Sequence, residues 1–139
     1  MFSISLRLEI GPRDIENNSC VLVSRVSRQK TFVSLEGIED AVEAALTSVH
    51  DELYARALAN LESRTSNAVT YDELLEIAST KSGFIRAMWC GDSECEDKIK
   101  NDTGGVKSRC IPFDEEHLSD VCVCCGKPAK HMVVWGRQY

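Results

Sequence analysis

The stretch Cys90-Gly91-Asp92-Ser93-Glu94-Cys95 and the later stretch Cys122-Val123-Cys124-Cys125-Gly126 decide how the last third of this chain folds. In each stretch a short loop can present two sulfurs to one metal ion, and Zn²⁺ accepts four such ligands in tetrahedral geometry at about 2.3 Å. A shell of four thiolates leaves no coordination position for water. The spacing therefore predicts one structural zinc ion per chain and argues against a catalytic one.

Three cysteines compete for two ligand positions in the second stretch. We prefer Cys122 and Cys125, because two residues between ligands is the usual spacing of a zinc knuckle. Gly126 follows at once and can adopt the positive φ that such a tight turn often needs. Cys124 is then a spare thiol. The predicted metal ligands are Cys90, Cys95, Cys122 and Cys125.

Two other interpretations of the cysteines remain open. Reduced cysteines are common in protein cores without any metal. Disulfides are the other alternative, but the chain has seven cysteines, an odd number, and begins with no signal peptide. No apolar run approaches the roughly 18 residues that a membrane span requires. We therefore expect a reducing, cytoplasmic protein without membrane association. His131 is the one histidine close enough to the knuckle to replace a cysteine ligand.

Charge is distributed unevenly along the 139 residues, whose formal net charge is −6. Residues 1–34 carry five basic and three acidic side chains, whereas residues 35–80 carry two basic and ten acidic ones. A chain that is acidic overall does not bind nucleic acid through its bulk charge. Any contact with phosphate needs a local patch, and residues 1–34 are the candidate.

Hydrophobic periodicity predicts strands followed by a long helix in the first half. Alternation over residues 2–10 predicts a strand with one apolar face, ended by Gly11-Pro12, and residues 20–24 and 31–34 are expected to form a hairpin. The apolar period then lengthens to about 3.6, which predicts an amphipathic helix over residues 36–64 capped by Ser34. The apolar face of the first strand consists of Phe2, Ile4, Leu6, Leu8 and Ile10.

The second half is expected to be a small mixed domain. Residues 65–68 are predicted to be a linker, and the capping box Thr70-x-x-Glu73 opens a helix over 71–80. Further elements are a strand at 84–89, a helix at 94–101, and strands at 108–113 and 130–136. The fold class is therefore α+β. A unit this small buries little surface, and a metal site is a common remedy.

Five segments, in order along the chain, are similar to one family. They are Arg7-Leu8-Glu9-Ile10-Gly11-Pro12-Arg13-Asp14, Cys90-Gly91-Asp92 with Cys95-Glu96, Ser108-Arg109-Cys110-Ile111-Pro112-Phe113, Cys122-Val123-Cys124-Cys125-Gly126-Lys127-Pro128-Ala129-Lys130, and Trp135-Gly136-Arg137-Gln138-Tyr139. With these segments the chain resembles the C-terminal portion of prolyl-tRNA synthetase of the archaeal and eukaryotic-like type.

The resemblance implies a partial class II anticodon-binding α/β domain over residues 1–68, with its hairpin and long helix, followed by a small zinc-stapled α/β domain over residues 69–139. It implies the same four cysteine ligands. The arginine-bearing motifs with which class II synthetases activate an amino acid are not found in this sequence. We therefore expect the chain alone to be inactive, with ATP bound only by the full-length parent enzyme.

Residue roles follow from the same resemblance, each beside a plainer alternative. Arg13 is expected to contact tRNA, or else to pair with Asp14 or Glu9. Arg25, Arg28 and Lys30 lie in or beside the hairpin turn, which is expected to be solvated; the alternative, carried by Arg25 and Lys30 as candidate tRNA-binding residues, is contact with the tRNA backbone. Tyr139 is expected to contact the catalytic domain. The acidic run Asp114-Glu115-Glu116 is expected to be a solvated loop, and Trp89 and Trp135 to be core residues.

Two functions compete at this point. The first is a non-catalytic C-terminal part of a proline–tRNA ligase that helps to bind tRNA(Pro), with the catalytic domain as its partner. The second is a free-standing zinc-binding module that binds a protein partner. The open edge of the N-terminal sheet also makes a homodimer possible.

Overall fold

The computed structural model describes residues 4–138. The chain divides into two compact units, with the boundary between Ala59 and Asn60. The domain boundary expected after residue 68 rests on the family resemblance and stays a prediction.

The first unit contains a three-stranded antiparallel sheet in the order β1-β2-β3. Its elements are β1 (Leu6–Glu9), α1 (Pro12–Glu16), β2 (Ser19–Ser24), β3 (Lys30–Ser34) and α2 (Ile38–Ser63), the last of which continues past the boundary. The predicted hairpin and long helix are confirmed to within two residues at each end. The first strand is shorter than the predicted 2–10. Of that range, Phe2 and Ser3 lie outside the described residues.

Helix α1 was not expected from the sequence. Pro12 occupies its first position, where the missing N–H is not needed and the fixed φ suits a helix. The carboxylate of Asp14 accepts the Gly11 N–H at 2.8 Å. Gly11-Pro12 therefore ends the strand, as predicted, but it also starts a helix. Arg13 consequently lies in α1, not in a loop after the strand.

The core of the first unit lies along β2. Cys20, Val21 and Leu22 are buried there, together with Val49 of α2. Much of the remaining apolar surface is open to solvent. The exposed apolar side chains of this unit include Ile4, Leu8, Ile10, Ile15, Phe32, Leu46, Leu53, Tyr54 and Leu58. Ser34 is not the helix cap, because α2 begins only at Ile38 and the Ser34 hydroxyl accepts the Glu36 N–H instead.

The second unit is a four-stranded mixed sheet with two helices. Its elements are β4 (Thr65–Asn67), α3 (Tyr71–Thr80), β5 (Phe84–Trp89), α4 (Ser93–Thr103), β6 (Val106–Cys110) and β7 (His131–Arg137). The strand order is β4-β5-β7-β6. β4 runs parallel to β5, and the other pairs are antiparallel. The expected linker at 65–68 is thus largely an edge strand, and the strand expected at 108–113 begins and ends earlier.

Side chains from the sheet and from both helices form the core of the second unit. Trp135, Leu74, Ile99 and Val133 are almost completely excluded from solvent. Trp89 meets Trp135 edge to face, with the ring centroids 6.1 Å apart, so the prediction of a tryptophan core is confirmed. Together the two units confirm the α+β class.

Candidate metal centre

The elements of the second unit deliver the four predicted cysteines to one place. Cys90 directly follows β5, and Cys95 lies in the first turn of α4. The second pair lies in a tight loop, in which Cys122 N–H donates to the Lys127 carbonyl and Gly126 N–H donates to the Cys122 carbonyl. Gly126 has a φ of +70°, the conformation expected of it from the sequence.

The spacing of the sulfurs fits a tetrahedral metal ion. The Sγ atoms of Cys90, Cys95, Cys122 and Cys125 all lie within 4.8 Å of one another. Cys90 Sγ is 3.7 Å from Cys95 Sγ and 3.7 Å from Cys125 Sγ. Four sulfurs at about 2.3 Å from a shared tetrahedral centre lie roughly 3.8 Å from one another. The cluster can therefore hold a metal ion without a large rearrangement.

The same distances argue against a disulfide. A sulfur–sulfur bond is about 2.05 Å long, and every cysteine of the chain is a free thiol in the structure. Cys124, the spare thiol of the sequence argument, is half-buried beside the cluster and is not a member of the group of four.

Burial and backbone hydrogen bonds act in opposite directions on these thiols. Desolvation raises the pKa of Cys90 and of Cys95, which are buried. The backbone N–H of Lys127 lowers the pKa of the exposed Cys125 to about 7. Polarisable sulfurs packed this closely, with one of them ready to ionise at neutral pH, are a donor set suited to a thiophilic cation such as Zn²⁺.

Neighbouring polar side chains are engaged elsewhere. His131 Nδ1 is 3.4 Å from Glu115 Oε1, and His117 Nε2 is 3.0 Å from Asp120 Oδ1. The acidic run was expected to be merely solvated. Instead Glu115 accepts the Met132 N–H of β7, and Glu116 pairs with Arg86 of β5, so these carboxylates tie the loop to the sheet. Sequence gave no signal for these partners, because they lie far away along the chain.

The basic residues expected to contact tRNA lie in two places in the first unit. Arg13 is exposed on α1 and makes no ion pair with any described residue. Glu9 pairs with Arg7 and Lys30 instead, so the expected alternative partner of Arg13 is already engaged.

The other residues expected to contact a partner lie beside the hairpin turn or outside the described part of the chain. Arg25 and Lys30 flank the turn between β2 and β3. Tyr139 lies outside the described residues. Over residues 4–138, no helix has both the length and the apolar character to cross a membrane.

The sheet, its two helices and the cysteine cluster define a class: a small mixed α/β domain stapled by four thiols that can hold a metal ion. Residues 71–139 match the family model described as "Prolyl-tRNA synthetase, C-terminal". The whole chain is 50% identical to a proline–tRNA ligase of Clostridium novyi and 52% identical to one of Lachnospira eligens. Over 98% of its length it is 53% identical to the corresponding protein of Agathobacter rectalis. The chain therefore belongs to the prolyl-tRNA synthetase family, and it spans about 29% of the length of these curated relatives.

Proposed function

We propose that this chain is the non-catalytic C-terminal part of a proline–tRNA ligase, in which it helps to hold tRNA(Pro) and stabilises the enzyme through one structural zinc ion. The observation that supports this most strongly is the cluster of four sulfurs within 4.8 Å, because it lies inside the segment that matches the family model. Aminoacylation and the use of ATP belong to the rest of the enzyme, which acts in the cytoplasm.

Zinc is the proposed metal because the donor set consists of four thiols. Cys90, Cys95, Cys122 and Cys125 would hold it, since thiolate sites select zinc over the hard cations magnesium and calcium. The bound ion supplies no chemistry here, because the four sulfurs fill its coordination shell. Its role is to join the end of β5 and the start of α4 to the loop that precedes β7.

Contact with tRNA is proposed for Arg13, Arg25 and Lys30 of the first unit. All three are exposed, and an exposed arginine can bind phosphate through its planar donor fork. The second unit carries the proposed contact with the catalytic domain, through Tyr139. A fragment with these roles assists the synthetase without performing its reaction.

A binding experiment tests the tRNA proposal. The metal-replete chain should bind proline tRNA in preference to an unrelated tRNA, and the affinity should fall as salt rises, since phosphate contacts release counterions. Arg13→Ala should weaken this binding, whereas Arg56→Ala, at an exposed position of α2, serves as the matched control. Equal and negligible binding of every tRNA would contradict the proposal and favour a module that binds a protein partner.

A further inference from the structure

The four cysteines of the metal centre differ in their exposure to solvent. Cys90, Cys95 and Cys122 are buried, whereas Cys125 is exposed. A tight turn places it there: Cys122 N–H donates to the Lys127 carbonyl at 2.8 Å, so the chain reverses direction between these two residues and Cys125 lies on the outside of the loop. A small reagent in solution therefore reaches one sulfur of the four more readily than the other three.

The cluster also has an open side next to a second sulfur. A groove of about 630 Å³ lies against Cys90, between the Gly91–Ser93 segment and the segment that carries Lys127 and Lys130. Cys95 and Cys122 do not line this groove. Of the three buried ligand cysteines, Cys90 is thus the one that lies beside open space.

The two sulfurs on the open side are close to each other. Cys125 Sγ and Cys90 Sγ are 3.7 Å apart, and a disulfide bond of about 2.05 Å requires them to approach by about 1.7 Å. Gly126, next to Cys125, has no atom within 4 Å of the position that a Cβ would take, so the loop has room for this movement. Cys95 Sγ is equally close to Cys90 Sγ, but it is buried and lies in the first turn of α4, whose backbone holds it.

We infer that Cys125 is a site of oxidation by peroxides, and that Cys90 is the thiol that converts the oxidised form into a disulfide. This rests on the proposed function, because both sulfurs are proposed zinc ligands. An exposed thiol with a second thiol poised beside it is the arrangement found in cysteines that respond to oxidants.

The chemistry needs one hydrogen peroxide and two steps. The Cys125 sulfur attacks one oxygen of the peroxide, the O–O bond breaks, and Cys125 becomes a sulfenic acid as one water leaves. The Cys90 sulfur then attacks the Cys125 sulfur, the S–O bond breaks, and a second water leaves with formation of the S–S bond. The sulfurs are oxidised and the peroxide is reduced. The protons that complete the waters come from the thiols, or from solvent where the sulfurs are ionised.

The disulfide removes two of the four proposed metal ligands. Cys95 and Cys122 alone hold zinc far less tightly than four sulfurs do. Oxidation at Cys125 therefore releases the ion and frees the start of α4, which Cys95 joins to the cluster. The exposure of one ligand makes the stability of the second unit depend on oxidants in its surroundings.

The test treats the zinc-replete full chain with hydrogen peroxide in the presence of a chromogenic zinc chelator, and a sample without peroxide gives the background. The wild type should release one zinc ion per chain. The oxidised chain should be lighter than the reduced, metal-free chain by the mass of two hydrogen atoms, and peptide mapping without reduction should find the bond between Cys90 and Cys125. A thiol reductant together with added zinc should restore the bound ion.

Three variants make the test specific. Cys125→His keeps a fourth ligand, since three cysteines and one histidine also hold structural zinc. It should bind one zinc ion and release it at least roughly tenfold more slowly under peroxide, because imidazole forms no disulfide. Cys110→Ser is the matched control, because Cys110 is also exposed but lies at the end of β6, outside the group of four. Cys110→Ser and Cys124→Ser should both release zinc at the wild-type rate.

A disulfide between Cys95 and Cys124, slow release from Cys110→Ser, or equal release from Cys125→His and the wild type would each overturn the inference. If Cys125→His binds no zinc, the position of the disulfide in the wild type still decides the matter. A wild-type chain that never carries zinc contradicts the proposed function and this inference with it. A chain that carries zinc and retains it under peroxide contradicts this inference alone.

Discussion

Cys124 and Cys125 are adjacent in sequence, but their thiols lie in different surroundings. Cys125 accepts the backbone N–H of Lys127, and its sulfur lies 3.7 Å from Cys90 Sγ. Cys124 packs partly buried beside the cluster, and burial raises its pKa. Knuckle spacing indicated this division of roles from the sequence. It could not indicate that Cys125 is the exposed member of the four, because exposure depends on how the loop packs.

At the residue scale, serine substitutions should separate ligands from the spare thiol. Cys122→Ser removes a sulfur that is only 2% exposed and should abolish or strongly reduce zinc binding, because three sulfurs hold zinc far less tightly than four. Cys124→Ser should retain it. Zinc released by acid and measured with a chromogenic chelator gives the stoichiometry of each variant. If Cys124→Ser lost the metal and Cys122→Ser kept it, the ligand assignment would be wrong.

Gly83 is a second residue whose role can be tested with a matched partner. A Cβ at this position would lie 2.0 Å from the Arg64 carbonyl oxygen, and its φ is +129°. Gly105 has a similar φ of +123° but no atom within 4 Å of an added Cβ. Both alanine variants carry backbone strain of about 1–3 kcal/mol from the positive φ. Only Gly83→Ala adds a clash with the Arg64 backbone, so it should lower the free energy of unfolding by clearly more than Gly105→Ala. Urea unfolding measures both, and equal losses would show that the close approach to Arg64 is relaxed in solution.

At the element scale, α3 shows how far local sequence determines structure. Thr70 Oγ1 accepts the Glu73 N–H, and the Glu73 carboxylate accepts the N–H groups of Val69 and Thr70. These reciprocal bonds are local, so the helix was predicted with both ends correct. Elements defined by distant partners escaped prediction. β4 exists because Thr65–Asn67 pairs with β5, and its sequence Thr-Ser-Asn has no strand pattern of its own.

The long helix α2 shows what local sequence does not determine. Its 3.6-residue period predicted the helix correctly, but the period alone does not reveal whether the apolar stripe is covered. In the structure Val49 is buried, whereas Leu46, Leu58 and Leu61 are between 41% and 49% exposed. Periodicity records which face of a helix is apolar. What covers that face is decided by the rest of the protein.

The capping box of α3 gives a prediction at this scale. Thr70→Ala should lower the free energy of unfolding by about 1 kcal/mol, because one helical N–H loses its acceptor. Thr80→Ala, at the other end of the same helix, removes only an exposed hydroxyl bond to the Glu76 carbonyl and should change stability by less than about 0.5 kcal/mol. Urea titration monitored by far-UV circular dichroism compares the two variants, and indistinguishable midpoints would contradict the role of the cap.

The cap should also depend on pH in a defined direction. The N–H groups of Val69 and Thr70 lower the pKa of Glu73, so the folded chain favours the carboxylate. Its contribution to stability is therefore present above the ordinary glutamate pKa and is lost as the pH falls through the lowered value.

At the scale of the whole molecule, the two units have different sources of stability. The first unit buries few of its apolar side chains in the described structure. The second has a core from Ala68 to Trp135 and, beside it, the cysteine cluster that joins β5, α4 and the loop before β7. Cysteine spacing predicted the cluster. The sequence did not predict the larger core of the second unit, which was expected to bury little surface. The tie between the acidic loop and the sheet, through Arg86 and Glu116, was not predictable, because it depends on the folded positions of residues far apart in sequence.

Removal of the metal should therefore affect the units unequally. After chelation, amide hydrogen exchange should accelerate most around Cys90–Cys95 and Cys122–Gly126, because metal binding contributes folding free energy directly to the segment that holds the ligands. Exchange in β1, β2 and β3 should change little. Mass spectrometry of peptic peptides locates the change. Uniform acceleration over both units, or none in the cysteine loops, would contradict a local structural staple.

The central claim is that four cysteines of this chain hold one structural zinc ion. Native mass spectrometry of the zinc-replete chain tests it most directly. The account predicts a mass increase corresponding to one zinc ion per chain in the wild type and in Cys124→Ser, and none in the double variant Cys122→Ser/Cys125→Ser. A wild-type chain that carries no zinc, or a double variant that still carries one, would contradict it.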